Sequence, residues 1–160
     1  MLTQQKHIIA CARSYIGTRF SHQGRLKKTG SHKGGIDCLG LLVCVAAELD
    51  LRGKNGKPFA AFDERGYSHQ PDTDALRQRF EMLLIPIPIT GIKPADIALF
   101  TIDGAPQHMG ILASPPTSNH QRPTNLIHAY APARAVVEHT LDGYWQEKMT
   151  AAFRLPHIHP

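Results

Sequence analysis

Apolar positions in the first half of the chain recur at helical spacing. Ile8, Cys11 or Ala12, and Tyr15 fall three and four residues apart, which predicts an amphipathic helix over 3–16 that Gly17 can close. Residues 18–35 are polar and glycine-rich and read as a loop. Leu41, Leu42, Val45, Ala46 and Leu49 then give the apolar face of a second helix over 37–49, with Gly34 and Gly35 as breakers before it. An irregular stretch over 51–71 contains "GKNGKP". A third helix follows over 73–84, with Leu76, Phe80 and Leu83 on one face and Asp72 or Thr73 as N-cap.

After residue 84 the pattern changes to short extended runs. "LLIPIPIT" is broken by Pro86 and Pro88, which suits a sheet edge. "DIALFTI" (96–102) and "HMGILAS" (108–114) read as strands joined by a turn at "DGAPQ". "LIHAYA" and "AVVEHTL" read as two more strands around "PAR", and "AAFRLP" (151–156) as a closing strand. Helices come first and strands later, with hairpin-length links and no internal repeat. This order predicts an α+β fold with an antiparallel sheet. The length of 160 residues suits one domain, spanning 1–160.

Composition adds limits. Hydrophobic residues make up 42% and charged residues 19%, enough for a buried core. The net charge of +5 favours anionic partners in general, or else marks a plain, mildly basic surface. Basic residues are densest in "RLKKTGSHK" (25–33), but no aromatics alternate with them, so no nucleic-acid stacking platform is indicated. Three cysteines without a CxxC pair argue against a disulfide framework and for a reduced compartment or a free thiol. The first residues lack a signal-peptide apolar region, and no run approaches the roughly 18 apolar residues of a membrane span. The expectation is a soluble protein, cytoplasmic as synthesised, with any export by another route.

Cys38 is the first candidate for chemistry. Asp37 and the glycines before it place Cys38 in the first turn of the second helix, where the helix dipole and unpaired N–H groups would lower a thiol pKa. A thiolate there could attack a carbonyl and direct its own N–H at the developing oxyanion. Read locally, Cys38 is either such a nucleophile or a buried structural cysteine. Cys44 lies roughly 600° further around a helix of about 3.6 residues per turn, points elsewhere and reads as core. A nucleophile needs a base and a group to orient it. Among ten histidines, His108 opens the strand "HMGIL" and His128 sits inside "LIHAY", and each could project from a sheet toward a helix packed on it. Each could equally be a satisfied sheet histidine. His139 falls on the expected exposed side of "VVEHT". No HExxH or CxxC pattern favours a metal site.

Taken in order, "DCLGLL", "PADIALF", "HMGIL" and "LIHAY" resemble the NlpC-type cell-wall cysteine peptidases, a branch of the papain-like fold. There a D-C-x-G-L motif opens the nucleophile helix, P-G-D-L-x-F leads into a strand, H-V/M-G-I carries the base, and I-H-A carries the orienting residue. The resemblance runs from Ala12 to Pro156. Its details look most like the branch in phage tails and gene-transfer-agent particles, which would make phage tail proteins partners of an assembled particle.

The resemblance implies N-terminal helices packed on a central antiparallel sheet. It implies Cys38 as nucleophile, His108 as base and His128 as orienting partner. It implies no cofactor or metal and hydrolysis of an amide in peptidoglycan stem peptides, typically between γ-D-glutamate and the diamino acid. N-acetylmuramyl-L-alanine amidase activity, or a catalytically silent tail or wall-binding module, are the alternatives. Asp37 would help shape the site and meet a substrate amine, or cap the helix, or both. The chain departs from the pattern where "GTRF" puts Arg19 and Phe20 in place of a tyrosine-bearing segment, where Leu39 replaces a serine, and where "PAD" replaces "PGD". Phe20, Leu39, His22 and Gln23 would then line the substrate site, although His22 could be merely exposed. Residues 51–90 form a longer segment than in minimal relatives and would cover the cleft.

Overall fold

A computed structural model describes residues 3–63, 75–102, 105–115, 117 and 121–156, with the backbone alone at 105–107. The helices are α1 (Thr3–Arg13), α2 (Cys38–Glu48), α3 (Ala75–Leu83) and α4 (Gly143–Lys148). The strands are β1 (Arg25–Leu26), β2 (Gly35–Ile36), β3 (Ile85–Ile87), β4 (Ile97–Ile102), β5 (Ala105–Ala113), β6 (Asn125–Tyr130), β7 (Ala135–Thr140) and β8 (Met149–Arg154). Six of them form one antiparallel sheet in the order β3-β8-β4-β5-β6-β7. The N-cap expected at Asp72 or Thr73 lies outside the described residues, as do His69, His120, His157 and His159.

Period-two alternation explains why "IALF" is apolar at every position. Ile97 and Leu99 face a core shared with α1 and α2, while Ala98 and Phe100 face a second core under α4. A strand covered on both faces has no position left for water. On the first side α2 contributes Leu41, Leu42, Val45 and Ala46, and α1 contributes Ile8, Ile9 and Ala12. Ala12 rather than Cys11 is the core member of α1. The Cys11 sulfur instead lies 3.3 Å from a Glu48 carboxylate oxygen near the surface. Trp145, Met149, Leu126 and Leu141 fill the second side.

Three local features depart from the sequence pattern. The polar stretch 18–35 contains the β1–β2 hairpin, too short to register as alternation. α4 is a single capped turn and a half, started by Asp142, whose carboxylate accepts the Trp145 N–H at 3.2 Å. In "PAD", Ala95 takes φ +74°, the left-handed region that favours glycine. Its methyl is fully buried in the α1–α2 core, and that burial offsets part of the strain.

The stretch 51–90 divides. Its first part packs Phe59 into the α1–α2 core, and Asp63 ends a short 3₁₀ turn (Phe59–Phe62). Its last part, α3 and β3, builds the sheet edge opposite β7, where Phe80 meets Phe153 edge-on at 5.6 Å. Pro86 sits on that edge strand, where no further ladder bond is lost. Covering of a cleft by residues 64–74 falls outside the described residues.

Arg25 ties these pieces together. Its side chain, 7% exposed, binds Asp37 through Nη1 at 3.0 Å and Asp63 through Nη2 at 2.9 Å. One buried guanidinium thus joins the β1–β2 hairpin, the start of α2 and the 3₁₀ turn. Replacing it removes the cation that both carboxylates share. Arg25→Met is expected to cost about 3–5 kcal/mol in urea unfolding, the usual penalty for breaking a buried pair. A loss under 1 kcal/mol would show that the three pieces hold without it.

Candidate active site

The start of α2 is fixed by Asp37. Its Oδ1 accepts the Gly40 N–H at 2.8 Å, an N-cap bond, and the Arg25 bond at 3.0 Å, while Oδ2 accepts the Gln23 N–H at 2.7 Å. Gly40 is required here, because a Cβ at that position would lie 2.4 Å from the Gly24 carbonyl oxygen. Residues 20–24 therefore cross directly over the first turn of α2. Phe20 bridges to Ile36, and its N–H donates to the Arg134 carbonyl at 2.8 Å. Phe20, His22 and Gln23 are all half-buried along this crossing. Asp37 itself is 3% exposed, so the capping half of its expected role is the one its placement supports, with little surface left for a substrate amine. Leu39 is a core residue rather than a surface one, 7% exposed in the α1–α2 cluster.

Cys38 occupies the first helical position. Its sulfur is faced by the backbone N–H groups of Met109, Leu39 and Cys38 itself, all of which favour a thiolate. Met109 follows His108 in β5, so the thiol abuts the strand that carries the expected base. Burial and the Asp37 charge nevertheless outweigh those donors and push the thiol up to about 12. The helix start alone would lower the thiol pKa; desolvation of the sulfur opposes it as the larger effect. Cys44 is only half-buried, with its sulfur 3.6 Å from the Arg25 carbonyl oxygen, and burial raises its pKa too.

The histidines lie on the α4 side of the sheet, not the α2 side. His108 pairs with Phe100 across β4–β5, and both it and His128 pack against Trp145. His108 Nε2 lies 2.5 Å from His128 Nδ1. Gly110 permits this approach, since a Cβ there would stand 3.0 Å from the Ile127 carbonyl oxygen and 3.1 Å from His128 Cβ. Tyr130 stacks on His128 at 4.9 Å and 14°, and Trp145 closes on it edge-on at 4.8 Å. The β5–β6 ladder runs from Ile111↔Ile127 to Ala113↔Asn125, and α2 contacts both strands. Burial lowers the His108 pKa to about 4 and depresses that of His128 further, so both rings are neutral near pH 7.

The sequence pattern misplaced His139. It is half-buried, and its Nε2 lies 2.8 Å from His128 Nε2, while its Nδ1 meets the Thr140 carbonyl at 2.9 Å. His139 and Val137 share a face of β7, diagonal to His128. Trp145 had no signal beyond the bare "YW". Among the described residues no group of three His, Cys, Asp or Glu is arranged to hold a metal ion, and no helix is long and apolar enough to cross a membrane.

Burial favours the neutral form of the Cys38 thiol and of both the His108 and His128 imidazoles. With its pKa raised, the thiol holds its proton through neutral pH. Alkylation of Cys38 by iodoacetamide, without substrate, is therefore expected to keep rising with pH through pH 9. A plateau already reached at pH 6–7 would reveal a preformed thiolate–imidazolium pair and contradict this.

No family model matches the chain, and no curated protein matches it. Solved structures do. The NlpC/p60 domain of the peptidoglycan hydrolase SagA aligns with a TM-score of 0.57 at 19% identity, over 93% of this chain and 97% of that one. The P60 domain of an M. avium subspecies paratuberculosis antigen gives 0.58 at 16%, over 94% and 93%. An N-acetylmuramoyl-L-alanine amidase from Bacteroides uniformis gives 0.53 at 14%, over 95% and 98%. At these identities the likeness carries the architecture: N-terminal helices on an antiparallel sheet, the papain-like fold of NlpC/p60 domains.

Proposed function

We propose that this chain hydrolyses an amide bond in peptidoglycan stem peptides, with Cys38 as nucleophile, His108 as base and His128 as its orienting partner. The observation that carries this reading is the 2.5 Å contact between His108 Nε2 and His128 Nδ1, on the strand whose next N–H faces the Cys38 sulfur. That contact occupies Nε2 and leaves Nδ1 of His108 for the thiol proton. The peptidoglycan hydrolase and amidase named among the similar structures support the substrate class.

The chemistry follows from the geometry. As Cys38 Sγ attacks the scissile carbonyl, His108 Nδ1 takes its proton. The Cys38 N–H, at the first helical position and without an intrahelical acceptor, is available to the oxyanion. The imidazolium then protonates the leaving amine, and the C–N bond breaks to give a thioester. Water, deprotonated by His108, hydrolyses the thioester and restores the thiol. The aromatic walls of Trp145, Tyr130 and Phe100 shield the rings from solvent, which makes a transient His108–Cys38 ion pair depend on the backbone donors.

The preferred bond is the one between γ-D-glutamate and the diamino acid. The similarity to an amidase favours, as second reading, the bond between N-acetylmuramic acid and L-alanine. Muropeptide digestion followed by mass spectrometry separates them. Wild type is expected to release fragments cut after γ-D-glutamate. Cys38→Ala is expected to lose at least about 10³-fold in rate, as removal of a nucleophile does. Undiminished digestion by Cys38→Ala removes the nucleophile assignment. Free stem peptides beginning at L-alanine support the amidase reading. Sacculus binding with no fragment released from wild type points to a silent wall-binding module, the remaining role for a tail-particle component.

A further inference from the structure

We propose that His139 is a positioning residue for this site: it holds His128, and through it His108, in the one tautomer that leaves the His108 Nδ1 lone pair facing the chemistry. The proposal rests on the hydrolase reading above for its consequence, but its physical content stands on the geometry of the ring nitrogens.

The polarity of the chain of rings is set at its outer end. A carbonyl oxygen only accepts, so the 2.9 Å contact with the Thr140 carbonyl requires the proton of neutral His139 on Nδ1. His139 Nε2 is then a lone pair, and the nitrogen 2.8 Å away, His128 Nε2, must donate to it. A neutral His128 with its proton on Nε2 has a bare Nδ1. The nitrogen 2.5 Å from that lone pair, His108 Nε2, must donate in turn. A neutral His108 with its proton on Nε2 has a bare Nδ1, which is the form a general base needs. For a His139 that carries a single ring proton, each step follows from the one before, and the first is set by the backbone carbonyl.

The fold holds the three rings in register. His139 pairs with Leu126 and His128 with Val137 across β6–β7, so the two histidines are diagonal neighbours on one face. Trp145 stands against all three rings, with centroids 5.8, 4.8 and 5.3 Å from His108, His128 and His139. Thr140 follows His139 directly, so the carbonyl that orients the ring moves with it.

Without His139 the Nε2–H of His128 loses its acceptor. The alternative tautomer, with the proton on Nδ1, would then donate to His108 Nε2 and place the His108 proton on Nδ1. That form cannot act as a base.

The test uses ring-¹⁵N-labelled full-length protein and NMR at neutral pH, together with muropeptide kinetics. In wild type, His108 and His128 should carry their protons on Nε2 and His139 on Nδ1. In His139→Leu, His108 should show a population protonated on Nδ1, and kcat should fall roughly ten- to a hundred-fold with KM nearly unchanged, the range for loss of a supporting partner. His139→Gln supplies a side-chain oxygen as acceptor and should keep kcat within about threefold of wild type. A wild-type His108 protonated on Nδ1, or identical tautomers and rates in the Leu and Gln variants, would overturn the assignment. The tautomer readout needs no turnover. A wild type with the expected ring protons and no digestion would support the relay while overturning the hydrolase reading.

Discussion

The carboxylate of Asp37 is the interaction on which the site depends. It caps α2, takes the Gln23 N–H, and pairs with the buried Arg25. These bonds fix where the first turn of the helix stands, and therefore where the Cys38 sulfur stands relative to β5. The same charge works against ionisation of that sulfur, second to burial. The site thus accepts an unfavourable charge in return for position. A capped helix start with open N–H groups is worth more to a reaction that creates an oxyanion than a thiolate formed in advance.

Burial has the same two-sided effect on the histidines. Packing between Trp145, Tyr130 and Phe100 orients the rings and lowers their pKa values. A ring that resists protonation stays available as a base well below pH 7, and an imidazolium formed on it gives its proton up readily to a leaving amine. In the proposed mechanism the cost falls on the thiol, which gives up its proton as the carbon–sulfur bond forms. Hydrogen bonds between the rings, rather than a carboxylate partner, then bear the burden of orientation.

Much of this was legible in the chain. The apolar face of α2 followed from periodicity, "DIALFTI" read as a strand, and Asp37 before Cys38 announced a capped helix start. The parts that were not legible share a cause. The β1–β2 hairpin and α4 are too short for any period to establish, and tertiary contacts alone make them regular. Leu39 stands where the pattern this chain resembles has a hydroxyl residue, and packs inward because the first turn of α2 faces the core there. His139 was placed outward because alternation along β7 does not reveal that α4 folds over that face with Trp145. The upward push that burial gives the Cys38 thiol was not legible either, because a helix N-terminus is a local feature and desolvation is not.

The central claim is that the Cys38 sulfur becomes covalently bonded to the substrate acyl group. Acid-quenching a muropeptide digestion during turnover and mapping the adduct by peptide mass spectrometry tests it directly. The account predicts a stem-peptide acyl group on the fragment containing Cys38, and on neither of those holding Cys11 and Cys44. Turnover with no acyl adduct on Cys38, in a variant slowed at thioester hydrolysis so that the adduct must accumulate, would contradict it.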